Sequence, residues 1–127
     1  MKYLILLFLF INQVVIAQEK PISKIFLEQF KPFEGQYFEG EIVEGGKEGD
    51  GFTGKRLLMQ VMSYEDREVK IPFYVGEDKS RTWILNYSNN VISLKHDHRH
   101  EDGSPDKVTF YGGTSPNEGA KHIQVFP

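Results

Sequence analysis

Residues 81–100 read RTWILNYSNNVISLKHDHRH. Two runs rich in β-branched, aromatic and aliphatic side chains flank Ser-Asn-Asn at 88–90, and asparagine accepts the left-handed backbone that a tight turn requires. The stretch therefore predicts an antiparallel hairpin with strands over 81–87 and 91–100.

The second strand of this hairpin carries three histidines at alternate positions. Side chains two residues apart on a strand point the same way, so the histidines share a face with Ile92 and Leu94. The pattern indicates that an apolar inward face continues as a row of imidazoles. The row consists of His96, His98 and His100.

Further strand and turn signals surround the hairpin. A short amphipathic helix is predicted over about Ser23–Phe30, with Ser23 as its N-cap. Pro72 falls on the outward set of its strand, which indicates an edge or a bulge. Seven strands with short links predict an all-β antiparallel meander, forming a barrel-like or a sandwich domain after the short helix. The strands outside the hairpin are predicted at residues 36–43, 57–64, 69–75, 107–111 and 122–126.

The last predicted strand ends with the sequence, so no partner follows it. An open sheet edge is usually covered in soluble proteins. Two explanations remain: the first strand pairs with the last, or the sequence is truncated at Pro127.

The first 17 residues have the pattern of an export signal. Lys2 provides the positive region, residues 3–11 are apolar, and Ala17 completes a small-residue cleavage site. A retained anchor is the alternative, but polar residues interrupt the apolar run well before the roughly 20 residues that span a bilayer. We therefore expect a signal peptide at 1–17, one β-rich domain at 18–127, and a periplasmic or extracellular location.

Composition excludes some partners and leaves others open. The chain has no cysteine, so neither a disulfide nor a lipoprotein cysteine is present. The net charge changes from −3 to −4 when the signal peptide, with its single lysine, is removed. Nucleic-acid binding by bulk electrostatics needs a basic surface and is not expected. No stable membrane span is expected after cleavage, and the oligomeric state is not determined.

A metal site is one interpretation of the histidine row. Neighbouring histidines lie about 6.6 Å apart on a strand, so two converge on one ion whereas three on a straight strand do not. A third ligand must come from elsewhere, with His122, Glu101, Asp102 or Asp106 as candidates. The predicted set is His96, His98 and Asp102, holding zinc or copper(II).

An organic ligand is the second interpretation. Trp83 lies on the preceding strand, on the same face as Leu85 and Tyr87, where it lines either a ligand cavity or the core. Histidines solvated or hydrogen-bonded at a wet barrel mouth are the third interpretation. The predicted ligand-binding set is His96, His98, His100, Trp83 and Tyr111.

Nothing in the sequence identifies an enzyme. A Gly-x-Ser-x-Gly element is missing, and no cysteine nucleophile exists. Residues 49–55 have P-loop spacing, but Arg56 replaces the magnesium-binding Ser or Thr. The leading hypothesis is a small-ligand or metal-binding protein. The alternatives are a non-catalytic structural or interaction protein of the envelope and a hydrolase acting on envelope polymers.

Two resemblances complete the sequence picture. The run His-Asp-His-Arg-His-Glu-Asp-Gly at 96–103, with Tyr-Gly-Gly at 111–113 and Gln-Val-Phe-Pro at 124–127, resembles a family of uncharacterised exported bacterial proteins. That resemblance covers mainly residues 94–127, implies continuation beyond Pro127, and assigns no catalytic residue. Phe-Glu-Gly-Gln-Tyr at 33–37 resembles the Gly-x-Trp opening of lipocalin-like (calycin-like) barrels, which implies architecture alone.

Overall fold

The computed structural model describes residues 18–127, so the predicted signal peptide lies outside the described residues. A short helix, α1, covers Ile22–Glu28, and a 3₁₀ turn follows at Lys31–Phe33. The rest is mostly antiparallel sheet, which confirms the predicted all-β class with one short helix. The strands are β1 (Tyr37–Gly40), β2 (Leu57–Gln60), β3 (Ser63–Tyr64), β4 (Glu68–Val75), β5 (Asp78–Ser88), β6 (Val91–His98) and β7 (Tyr111–Thr114).

The strands form one sheet in the order β1-β2-β4-β5-β6-β7, with β3 as a short branch on β4. Apart from β3, strands that follow one another in the chain lie next to one another, as expected for a meander. Within residues 18–127, β1 and β7 are the two edges and do not pair with each other. The sheet is therefore open and not closed into a barrel.

The β5–β6 hairpin forms at the predicted turn. Asn89 and Asn90 have φ angles of 50° and 62°, in the left-handed region that a two-residue hairpin turn requires. The hydroxyl of Tyr87 donates to Oδ1 of Asn90 at 2.9 Å, which ties the turn to the strand before it. The pairing then runs without interruption from Ser88–Val91 to Arg81–His98.

Pro72 lies in β4, an interior strand and not an edge. The neighbouring strand has one extra residue at that point, because Met59 pairs with Phe73 whereas Ser63 pairs with Lys70. This bulge divides the predicted strand 57–64 into β2 and β3. A proline, which lacks an N–H, is tolerated where the pairing is interrupted in this way.

Helix α1 packs across β5 and β6 and covers part of one sheet face, called here the helix face. Leu27 is fully buried there and anchors the core. Ser23, predicted as the N-cap, lies inside the helix, and its hydroxyl donates to the carbonyl of Asn90 at 2.8 Å. The sheet residues of this core are Val61, Val69, Ile71, Leu85 and Ile92.

Two predicted strands differ from the structure. The strand expected at 107–111 is displaced, because β7 begins only at Tyr111. Residues 122–126 form no strand, and Ile123 and Val125 are mostly exposed. Alternation alone does not make a strand where no neighbouring strand supplies hydrogen bonds. None of the helices in residues 18–127 has the length and apolar character needed to cross a bilayer.

Candidate functional site

Two members of the histidine row, His96 and His98, continue the helix face beyond the area that α1 covers. The register pairs Leu94 with Leu85, His96 with Trp83, and His98 with Arg81. Burial falls along this series: Leu85 is 5% exposed, whereas Trp83 is 36% exposed. One end of the helix face is thus core, and the other end is accessible.

Four rings form a group at the accessible end, called here the aromatic cluster: Phe73, Trp83, His96 and Tyr111. The rings of Phe73 and Trp83 are stacked at 5.1 Å with an interplanar angle of 8°. The His96 ring lies 4.8 Å from that of Tyr111. Trp83 is 36% and Tyr111 49% exposed, so these two rings present apolar surface to solvent. Aromatic rings with a polar group at one end are well suited to sites that are partly wet.

His96 has one ring nitrogen satisfied and one without a partner. Its Nδ1 is hydrogen-bonded to the hydroxyl of Tyr111. Its Nε2 is buried and has no hydrogen-bond partner among the described residues. A buried polar atom left unpaired costs free energy, and a ligand group that paired with it would recover that cost.

Burial lowers the pKa of His96 below its ordinary value of 6.5, and the nearby His98 and Arg81 lower it further. The neutral imidazole is therefore favoured in the folded protein.

This shift predicts a pH-dependent stability. The unfolded chain binds a proton at His96 as the pH falls through 6.5, before the folded chain does. Stability is therefore fully present above that pH and is lost as the pH falls toward the lowered folded value. The free energy of unfolding is measured with denaturant at about pH 7.5 and about pH 5. Between these two pH values it should fall less in His96→Gln than in the unmodified protein. His122→Gln, at an exposed position, is the matched control. An equal loss in His96→Gln and the unmodified protein would contradict the argument.

His98 has partners on both ring nitrogens. Its Nε2 lies 3.0 Å from the hydroxyl oxygen of Ser80, and its Nδ1 lies 3.7 Å from a carboxylate oxygen of Asp106. The Ser80 contact arises from a bulge in β5: Phe73 pairs with Arg81 and Val75 with Asp78, so two residues oppose one. Bulges of this kind redirect a side chain relative to regular alternation.

His100 and Asp102 lie outside the strand. β6 ends at His98, and the His100 side chain is 56% exposed with Nδ1 3.9 Å from Asp106. Asp102 accepts hydrogen bonds from the backbone N–H and the hydroxyl of Ser104, which shapes the turn. Asp106, and not Asp102, is the carboxylate beside the histidines. Within residues 18–127, no group of three His, Cys, Asp or Glu side chains is arranged to hold a metal ion.

The ring stack and the Ser80 contact were not identified from the sequence. Strand parity places Phe73 inward and was a usable signal for the stack. No sequence signal identified the Ser80 contact, because the bulge that turns Ser80 toward His98 depends on the register of β5 with β4. Arg81 also belongs to this end: it forms an ion pair with Asp78, and its guanidinium lies 5.4 Å from the Phe52 ring.

No family model, curated protein or solved structure matches this chain. The resemblances seen at residues 94–127 and 33–37 therefore stay predictions. Function is therefore inferred from the chemistry of the site itself.

Proposed function

We propose that this protein binds a small organic ligand at the aromatic cluster and that it does so as an exported protein. The observation that carries the proposal is the buried, unpartnered Nε2 of His96 between accessible rings. Ligand sites combine apolar and aromatic walls with a few polar groups that fix orientation.

The cluster also suggests a class of ligand. Trp83 and Tyr111 offer apolar surface, and the Tyr111 hydroxyl is a polar group beside it, hydrogen-bonded to Nδ1 of His96. A ligand reaches the buried Nε2 of His96 only when the neighbouring rings move. A small cyclic molecule with an apolar face and a polar edge matches that arrangement. Export rests on the sequence pattern of residues 1–17, and N-terminal sequencing of the secreted material is expected to begin at Gln18.

The binding experiment has a built-in reporter. Trp83 is the only tryptophan in the sequence, so intrinsic fluorescence reports on the cluster directly. Phenol, benzamide and N-acetylglucosamine serve as probes, and at least one is expected to change the emission in a saturable way. His96→Ala is expected to weaken that probe about tenfold, because one buried hydrogen bond is worth about 1–1.5 kcal/mol.

His100→Ala is the matched control, since its ring is exposed and lies outside the cluster. Unchanged affinity in His96→Ala, or no response to any probe, would overturn the proposal. A protein with no response fits the structural or interaction alternative. Zinc chloride and copper(II) chloride are tested separately. Quenching of Trp83 fluorescence by either metal, abolished in both His96→Ala and His98→Ala, would support the metal interpretation instead.

A further inference from the structure

Ser80, His98 and Asp106 form a hydroxyl, imidazole and carboxylate series at the end of the helix face. The serine and the carboxylate lie on opposite ring nitrogens of the histidine, at 3.0 Å and 3.7 Å. This order defines catalytic triads, which are recognised by geometry and role because they occur on unrelated folds. We infer that Ser80 is an acyl-transfer nucleophile, His98 its general base, and Asp106 a positioning residue that orients the imidazole.

Separate elements hold the three side chains. The β5 bulge directs Ser80 toward His98, and the backbone N–H of His98 donates to the hydroxyl of Thr109 at 2.8 Å. Asp106 lies in the loop between β6 and β7, where its backbone N–H donates to the carbonyl of His98 at 2.9 Å. This backbone hydrogen bond therefore holds Asp106 against the end of β6, next to His98. Its 3.7 Å separation from Nδ1 is longer than a hydrogen bond, and such catalytic contacts often shorten when substrate binds.

Asp78 is the competing partner of the Ser80 hydroxyl. Hydrogen bonds from the Ser80 side chain and backbone, together with the Arg81 ion pair, lower the pKa of Asp78 to about 2. A carboxylate with so low a pKa is a very weak base near neutral pH. Nε2 of His98 lies 3.0 Å from the same hydroxyl, so His98 is the group placed to accept the serine proton.

The reaction we assign is ester hydrolysis in two steps. Ser80 Oγ bonds to the ester carbonyl carbon while its proton passes to Nε2 of His98. The imidazolium returns that proton to the alcohol oxygen as the carbonyl carbon–oxygen bond breaks, which leaves Ser80 acylated. Water, giving a proton to the same nitrogen, then attacks the acyl group, and the proton returns to Ser80 Oγ as the carboxylic acid leaves.

The surroundings restrict the substrate class. A groove of about 660 Å³ beside Ser80 is lined by Glu77, Asp78, Lys79, His100 and Glu101. Three carboxylates face one lysine there, so an anionic ester is repelled, whereas a neutral or cationic one is not. Arg81, the residue after Ser80, is already paired with Asp78, whereas Lys79 lines the groove itself.

Labelling with a fluorophosphonate probe tests the nucleophile in the purified full chain. We expect modification at Ser80, identified by peptide mass spectrometry, with a rate at least about 100-fold lower in His98→Gln. Ser80→Ala removes the labelled atom without disturbing the core. Ser88→Ala, at the exposed far end of the same strand, should label at the unmodified rate. Labelling only at other residues, or an unchanged rate in His98→Gln, overturns the assignment.

Turnover tests the positioning residue and the substrate class. 4-Nitrophenyl acetate, which is neutral, should be hydrolysed about tenfold faster than the anionic 4-nitrophenyl succinate. Asp106→Asn should reduce acetate turnover, and Asp106→Glu should restore part of it, which a purely structural role does not explain. No rescue, or a preference for the anionic ester, contradicts these assignments.

The inference does not depend on ligand binding at the aromatic cluster, and the two fail separately. His96→Ala should lose binding of the aromatic-cluster ligand while keeping fluorophosphonate labelling at Ser80. Ser80→Ala should lose the labelling and keep ligand binding at the aromatic cluster. Parallel loss of both in both variants would contradict the separation of the sites.

Discussion

Gly112→Ala is expected to detach β7 from β6 and to lower the free energy of unfolding by about 3 kcal/mol or more. Gly112 has a φ of 153°, a conformation that L residues rarely adopt. A Cβ at this position would lie 1.9 Å from the carbonyl oxygen of Leu94 and 2.9 Å from its carbonyl carbon. Both atoms belong to the backbone of β6, so the clash is relieved only by moving a strand.

The same substitution reaches the aromatic cluster. Tyr111 precedes Gly112 and pairs with His96, so loss of β7 removes the hydroxyl from Nδ1. We expect altered Trp83 emission together with the lower stability, both measured along one denaturant titration. Gly40→Ala is the matched control, because Gly40 lies in the other edge strand and nothing comes within 4 Å of an added Cβ. Equal stability of the two variants would show that the backbone at Gly112 is not constrained as described.

Leu27→Ala is expected to lower the free energy of unfolding by about 2–5 kcal/mol. Leu27 is completely buried between α1 and the sheet, so truncation leaves a cavity as well as losing apolar contact. The helix spans seven residues, and isolated helices of that length are not stable in water. Its structure therefore depends on the side chains that attach it to β5 and β6.

Trypsin provides a second measurement of this attachment. Lys24 is buried beside Leu27, with Nζ 2.7 Å from a carboxylate oxygen of Asp66 and 5.6 Å from the centre of the Tyr87 ring. Cleavage after Lys24 should be slow in the unmodified protein and fast in Leu27→Ala. Ile22→Ala, at a 39% exposed position of the same helix, should change neither stability nor cleavage much. The same loss in both variants would contradict the role given to Leu27.

Local signals were sufficient for most of the sheet. The Asn89-Asn90 turn formed as predicted because both residues tolerate positive φ. Period-two alternation in β6 placed His96 and His98 on the face of Ile92, since a strand without a bulge keeps its parity. The helix near Ser23–Phe30 also formed, although tertiary contact with Asn90 recruited the Ser23 hydroxyl away from capping.

The site depended on signals that are not local. β6 stops at His98 because the following turn closes early, with the N–H of His100 donating to the carbonyl of Ser104 at 2.8 Å. That turn brings Asp106, and not Asp102, next to the histidines. The metal set of His96, His98 and Asp102 stays a prediction.

By itself, the sequence determined the antiparallel meander, the hairpin turn and the direction of the His96 and His98 imidazoles. These properties depend on backbone preferences and on the period of side chains along one strand. Only the tertiary structure decided how much of the helix face α1 covers, which carboxylate reaches His98, and that a bulge turns Ser80 toward it. The physical reason is that coverage, register and loop closure result from contacts between residues far apart in the chain, which periodicity within one strand does not encode.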